Sequence, residues 1–117
     1  MDRFRADTFL PLTPVSFEIL IALADGEQHG YRIMQDVNAR TDGRVVLHAG
    51  TLYRALARLL EQDLIEELGE RPTGESDERR RYYRLSPRGR AVAVAEAERL
   101  AGQLATARAR RLLEVAP

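Results

Sequence analysis

Three helices, a two-stranded hairpin and one long closing helix are what this sequence of 117 residues predicts, a mainly α chain with a small β-hairpin. Three observations carry that expectation. Apolar residues recur at helical spacing in three separate stretches before residue 63. Two strand-like runs, 64–68 and 81–85, then flank a polar segment containing Pro72, Gly74 and Ser76. Finally, an Ala-rich stretch of strong helix propensity closes the chain. At this length one domain with a real core is expected, and hardly two.

Residues 1–12 form a short lead with Phe4, Phe9 and Leu10, ended by Pro11, either frayed or laid on a neighbouring surface. Thr13-Pro14 supplies a capping hydroxyl followed by Pro at the first helical position. Phe17, Leu20, Ile21 and Ala24 follow at helical spacing, and Ile19 with Leu23 adds a second stripe. A helix apolar on most of its circumference must be covered on most sides. Asp25-Gly26 stops it. Gly30 opens a second helix whose apolar face is Tyr31, Ile33, Met34 and Val37, with a turn signal at Thr41-Asp42-Gly43. Arg44 to His48 is short and β-branched and is expected to make an isolated extended pairing.

A third helix is predicted from Ala49 or Gly50 to Gln62. Leu52, Leu56, Leu59 and Leu60 make its inner face; Thr51, Ala55, Arg58 and Gln62 make the other, flanked by Tyr53 and Arg54. Between the two predicted strands, residues 69–80 read as a long, mobile hairpin tip. Ser86-Pro87 repeats the hydroxyl-then-Pro start, and a fourth helix is expected to run to Leu113. About 27 residues at 1.5 Å each give about 40 Å, more than the width of so small a domain. Ala93, Ala97, Leu100, Leu104 and Ala107 fall at heptad-like spacings on it, so it asks for a partner helix.

Three helices followed by a hairpin describe a winged helix-turn-helix, expected over residues 13–85, with a dimerisation helix over 86–117. Composition excludes several other classes. There is no Cys, hence no disulfide, thiolate metal site or cysteine nucleophile. No apolar run approaches a membrane span, and the first twelve residues do not read as a signal peptide, so a cytoplasmic setting is expected. His29 and His48 have no ligand-type spacing to acids, and no phosphate loop or nucleophile elbow is present. No enzyme, metal or cofactor is expected.

The net charge is zero, from 18 basic and 18 acidic residues, but the charges are segregated. Residues 79–90 hold six arginines and no acid, whereas residues 61–78 hold eight acids and one arginine. All 18 basic residues are Arg, which reads first as codon bias and suits phosphates and guanine edges as well. The third helix has a small, polar outward start at Gly50, Thr51, Tyr53 and Arg54, with Arg58 a turn on, as a helix entering a major groove requires. Arg79, Arg80 and Arg81 on the following hairpin can lie along a phosphate backbone or enter a narrow minor groove. The plain alternatives are an amphipathic surface helix and a charged edge-strand guard. Glu75, Asp77 and Glu78 at the tip are placed to fold back onto those arginines. Tyr83 reads as core and Tyr82 as rim. Tyr31 reads first as core, with a hydroxyl able to reach a phosphate.

Gly30-Tyr31-Arg32-Ile33, Gly50-Thr51-Leu52-Tyr53-Arg54-Ala55-Leu56, the run 59–65, and Arg81-Tyr82-Tyr83-Arg84-Leu85-Ser86-Pro87-Arg88-Gly89 stand in a telling order. The chain resembles the PadR family of bacterial transcriptional repressors, in its short subfamily with one C-terminal helix. The resemblance implies a homodimer that reads an operator with the third helix, touches flanking DNA with the wing and dimerises through the last helix. It places Thr51, Tyr53 and Arg54 at DNA and Tyr31 near the backbone. Two positions depart from the pattern: His48-Ala49 replaces a hydroxyl before the third helix, and Asp63 replaces a Gly. With no Trp, stacking of a flat drug between tryptophans at the dimer centre is not expected.

The expected DNA contacts are therefore Tyr31, His48, Thr51, Tyr53, Arg54, Arg58, Arg79, Arg80 and Arg81. The expected dimer contacts are Phe17, Ala93, Ala97, Leu100, Leu104 and Ala107. The partners are a double-stranded operator and a second copy, with an unidentified small-molecule effector as an additional candidate and no membrane. Phe9, Phe17 and Leu100 are candidate lining for an effector pocket and serve equally as dimer core. The competing class is a winged-helix module for protein interaction or ligand sensing with little DNA affinity.

Overall fold

The computed structural model describes residues 3–72 and 79–113. Its elements are α1 (Pro14–Ala22), β1 (Gln28–His29), α2 (Gly30–Arg40), α3 (Ala49–Glu61), β2 (Ile65–Pro72), β3 (Arg79–Leu85) and α4 (Pro87–Ala109). One turn of 3-10 helix, Ala6–Phe9, precedes α1. The strands form one antiparallel sheet in the order β1-β3-β2. This is the winged helix-turn-helix with a long last helix that the sequence predicts.

The local chemistry sets the helix starts. Thr13 Oγ1 accepts the Ser16 N–H at 3.1 Å, and Ser86 Oγ accepts the Gly89 N–H at 2.9 Å. At α2 the cap is His29, whose Nδ1 accepts the Arg32 N–H at 3.1 Å. His48 precedes α3 without a side-chain cap bond, the weakness its sequence suggests. Ile19, Leu20 and Leu23 interlock with Ile33, Val37, Leu52, Leu56 and Leu59 in one core, closed by Leu64, Ile65, Tyr83 and Val92. Arg40 ties α2 to α1, with Nη1 2.7 Å from Glu18 Oε1 and Nε 2.8 Å from Asp36 Oδ2.

Four expectations need correction. Residues 44–48 form no strand. Leu47 is buried and donates its N–H to Asn38 Oδ1 at 3.0 Å, so side chains take up the backbone bonds that a strand would have used. The third strand is instead β1, pairing Gln28 with Tyr83 and His29 with Tyr82. The hairpin is longer than expected, because β2 continues to Pro72 and β3 begins at Arg79. In the added length Arg79 donates to the Glu70 carbonyl at 3.2 Å, and Arg81 Nη2 lies 3.8 Å from Glu70 Oε1; these cross-strand contacts offset the weak strand propensity there. Helix α4 ends at Ala109, short of Leu113, with Arg111 at φ 62° beyond its end. Glu75, Asp77 and Glu78 lie outside the described residues.

Two contacts fix α4. A Cβ on Gly89 would stand 1.8 Å from the Leu64 carbonyl oxygen, so only glycine fits. Around it, Ser86 Oγ donates to the Asp63 carbonyl at 2.6 Å, and Asp63 takes a left-handed φ of 60°, which Asp tolerates. One turn past Val92, Glu96 is buried at 1% exposure. Its carboxylate accepts the Leu12 N–H at 2.6 Å and pairs with Arg99 Nε, pinning the N-terminal lead to α4. The Arg99 hydrogen bond holds the Glu96 carboxyl below the usual carboxylate range; burial opposes this and the Leu12 N–H assists it.

Gly89→Ala is expected to destabilise the fold by at least about 2 kcal/mol in denaturant unfolding, because the backbone it meets cannot yield. The depressed Glu96 carboxyl contributes stability that is complete above its ordinary value of 4.5 and is lost as pH falls through the folded value. Glu96→Gln should therefore cost about 1 kcal/mol near neutrality. Its gap to the wild-type protein should close in acid, and a pH-independent gap would refute the assignment.

Candidate nucleic-acid interface

The inner face of α3 buries Leu52, Leu56 and Leu59, which leaves Gly50, Tyr53, Arg54, Ala57 and Arg58 outward. Thr51 and Ala55 sit at the half-buried edge, so the exposed stripe is rotated from the one that spacing suggested. Ala57 was missed; it lies on the outward face between Tyr53 and Arg58. His48 is exposed at the uncapped start of the helix, whose unpaired N–H groups and positive end favour an anion there.

A groove of about 410 Å³ separates α3 from the wing. Tyr31, Tyr53 and Tyr83 line it with Arg79, Arg80 and Arg81, and Glu70 closes one wall. Five expected contact residues thus meet in one place. Arg54 and Arg58 lie on the adjoining outward face of α3, and His48 and Thr51 near its start, none of them lining the groove.

Tyr31 is not core. It is 44% exposed, and the Arg80 guanidinium sits over its ring at 4.8 Å. Tyr83 is buried; burial pushes its hydroxyl up, and Glu67 and Tyr53 push it further, so it stays neutral. Tyr82 is a rim residue, edge-on to His29 and covered by Arg71. The three arginines differ in setting. Arg79 donates to the Glu70 carbonyl at 3.2 Å, Arg80 stacks on Tyr31, and Arg81 is ion-paired to Glu67 at 3.0 Å.

On the far side, α1 and α4 enclose an apolar groove of about 210 Å³ lined by Phe17, Ile21, Leu85, Ala93, Val94 and Ala97, among others. It unites Phe17, Ala93 and Ala97 but not Leu100, Leu104 or Ala107, which lie farther along α4. Ala93 packs partly against the chain's own core, whereas Leu104 is 42% exposed. Ile21 and Val94, absent from the heptad reading, are exposed beside the groove. Phe9 and Leu100 do not line it.

The model of the transcriptional regulator PadR-like family matches residues 19–95. The chain belongs to that family. A transcriptional regulator from Clostridium thermocellum is 28% identical, with a TM-score of 0.66 over 86% of this PadR-like chain and 93% of its own. Bacillus subtilis PadR, solved in complex with operator DNA, shares the fold at 20% identity, with a TM-score of 0.61 over 77% of this chain and 48% of that one. An uncharacterized 37.1 kDa protein in transposon TN4556 of Streptomyces fradiae is 39% identical over 83 residues, 71% of this chain. The PadR-like chain spans 22% of that curated relative's length. Among the described residues, no helix is long and apolar enough to cross a membrane.

Proposed function

We propose that this PadR-like regulator is a homodimeric, sequence-specific DNA-binding repressor acting in the cytoplasm. Residues 13–85 are its DNA-binding unit and 86–117 its dimerisation helix. The observation that carries this reading is the shared groove: Tyr53 of the third helix and Arg79–Arg81 of the wing wall one basic cleft with Tyr31. A recognition helix with small residues at its start enters a major groove, and a neighbouring arginine wing follows the phosphates. On this reading Arg54 and Arg58 contact base edges, and the Tyr31 and Tyr53 hydroxyls contact backbone oxygens. The operator is an inverted repeat read by two copies.

The second copy covers the apolar α1–α4 face. Ile21, Val94 and Leu104 are too exposed to be explained by the monomer's core, and the distal half of α4 extends beyond it. The α1–α4 groove is also where a small apolar effector would bind if one releases the repressor from DNA.

Fluorescence anisotropy against the chain's own upstream promoter DNA, with a scrambled competitor and a salt series, tests the reading. Tight binding that survives competitor is expected. Arg54→Ala should cost about 1–3 kcal/mol on the promoter and little on scrambled DNA. Tyr53→Phe should weaken promoter binding less. Arg79→Ala with Arg80→Ala should lower the salt slope by about 2 without changing sequence preference. Equal, weak binding to both DNAs would contradict the reading and favour a protein-interaction module.

A further inference from the structure

We propose that Glu67 and Glu70 are specificity-determining residues, which clamp Arg81 within the wing and withhold it from DNA that lacks the operator sequence. This rests on the DNA-binding reading above. The device begins with a backbone irregularity. In an unbroken strand, residues three apart point to opposite faces. Here β2 pairs Glu67 with Tyr83, Gly69 with Tyr82 and Glu70 with Arg81, so Leu68 is an extra residue. Gly69 absorbs the bulge at φ +87°. Because Tyr83 and Arg81 share a face, the bulge brings Glu67 and Glu70 onto that same face.

Arg81 lies between them. Its Nη1 is 3.0 Å from Glu67 Oε1 and its Nη2 is 3.8 Å from Glu70 Oε1. One guanidinium thus meets two carboxylates, and the trio carries a net charge of −1, with Arg81 and Glu70 lining the groove. Arg81 and Glu70 side chains are 52% and 56% exposed, and Glu67 is 35% exposed. Pairs this wet are worth only about 0–1 kcal/mol each, so the clamp adds little to stability and opens readily. Its consequence is for counterions. An arginine already neutralised by carboxylates gains little from an arbitrary phosphate and releases few ions to it. Only a duplex seated by the contacts of α3 holds a phosphate close enough to displace the glutamates. Arg79, bonded to a neutral carbonyl, carries no such restraint from that contact.

The test measures binding of a random-sequence 30-base-pair duplex across a salt series. Glu67→Gln with Glu70→Gln should raise affinity roughly 5–20-fold at low salt and steepen the salt slope by about 0.9, the contribution of one more neutralised phosphate. Gln keeps the shape of both exposed side chains, and each single change should give part of the gain. Adding Arg81→Ala to the double variant should return affinity and slope to those of Arg81→Ala alone. A gain that survives Arg81→Ala would overturn the clamp, because the glutamates would then act by direct repulsion. No gain at all would overturn it too. Failure of the DNA-binding reading itself is separate: the wild-type chain would then show no preference for any sequence, whatever the glutamate variants do on the random duplex.

Discussion

The start of α4 is pressed against the backbone of Leu64, and the placement of the wing relative to the long helix depends on that contact. Gly89 has room for no side chain there, because Leu64 O occupies the space. Ser86 completes the junction, donating to Asp63 and accepting from Gly89. Three segments meet at this point: the end of α3, the first strand of the hairpin and α4. A rigid junction suits the proposed homodimer, in which two DNA-reading helices would be held at a fixed distance from a symmetry axis.

The groove inherits its character from the same economy. Its walls come from α2, α3, β2 and β3, and the tyrosines give it rigid sides while the arginines give it charge. The charge is managed within the wing. β2 is acidic where β3 is basic, and Glu66 meets Arg84 as Glu67 and Glu70 meet Arg81. This explains how a chain of zero net charge presents a basic cleft. The segregation seen along the sequence becomes pairing across the sheet. Such a surface attracts DNA over short range and gains most from a seated partner.

Helix starts at Pro14 and Pro87 were legible because a hydroxyl followed by Pro has one favourable backbone solution. The third helix was legible because its leucines keep strict spacing. At Asp63 the clue was the resemblance, whose pattern has a Gly where this chain places a residue that tolerates a left-handed φ. The two-residue strand β1 was not, since two residues carry no periodicity. The extra length of the wing was hidden because strand propensity penalises Glu and Arg, and only their cross-strand pairing reverses that. Heptad spacing on α4 picks out Ala93 and Ala97, which line the α1–α4 groove, but not Val94, which lines it too. Glu96 looked like any solvated acid. Its position seven residues along from Gly89 and four from Val92 was the available clue, because that face is the one pressed inward. Tyr31 looked like core because its helix neighbours are, yet it sits at the first turn, where the chain emerges from β1 beside Arg80.

Selection of duplexes from a random pool by the purified full chain, followed by sequencing, tests most directly that this molecule is a symmetric reader of sequence. The proposed dimer, with two α3 helices held by paired α4 helices, predicts enrichment of an inverted repeat whose half-site centres lie about 10 base pairs apart. A pool that stays random, or one that yields a single asymmetric half-site, would contradict it.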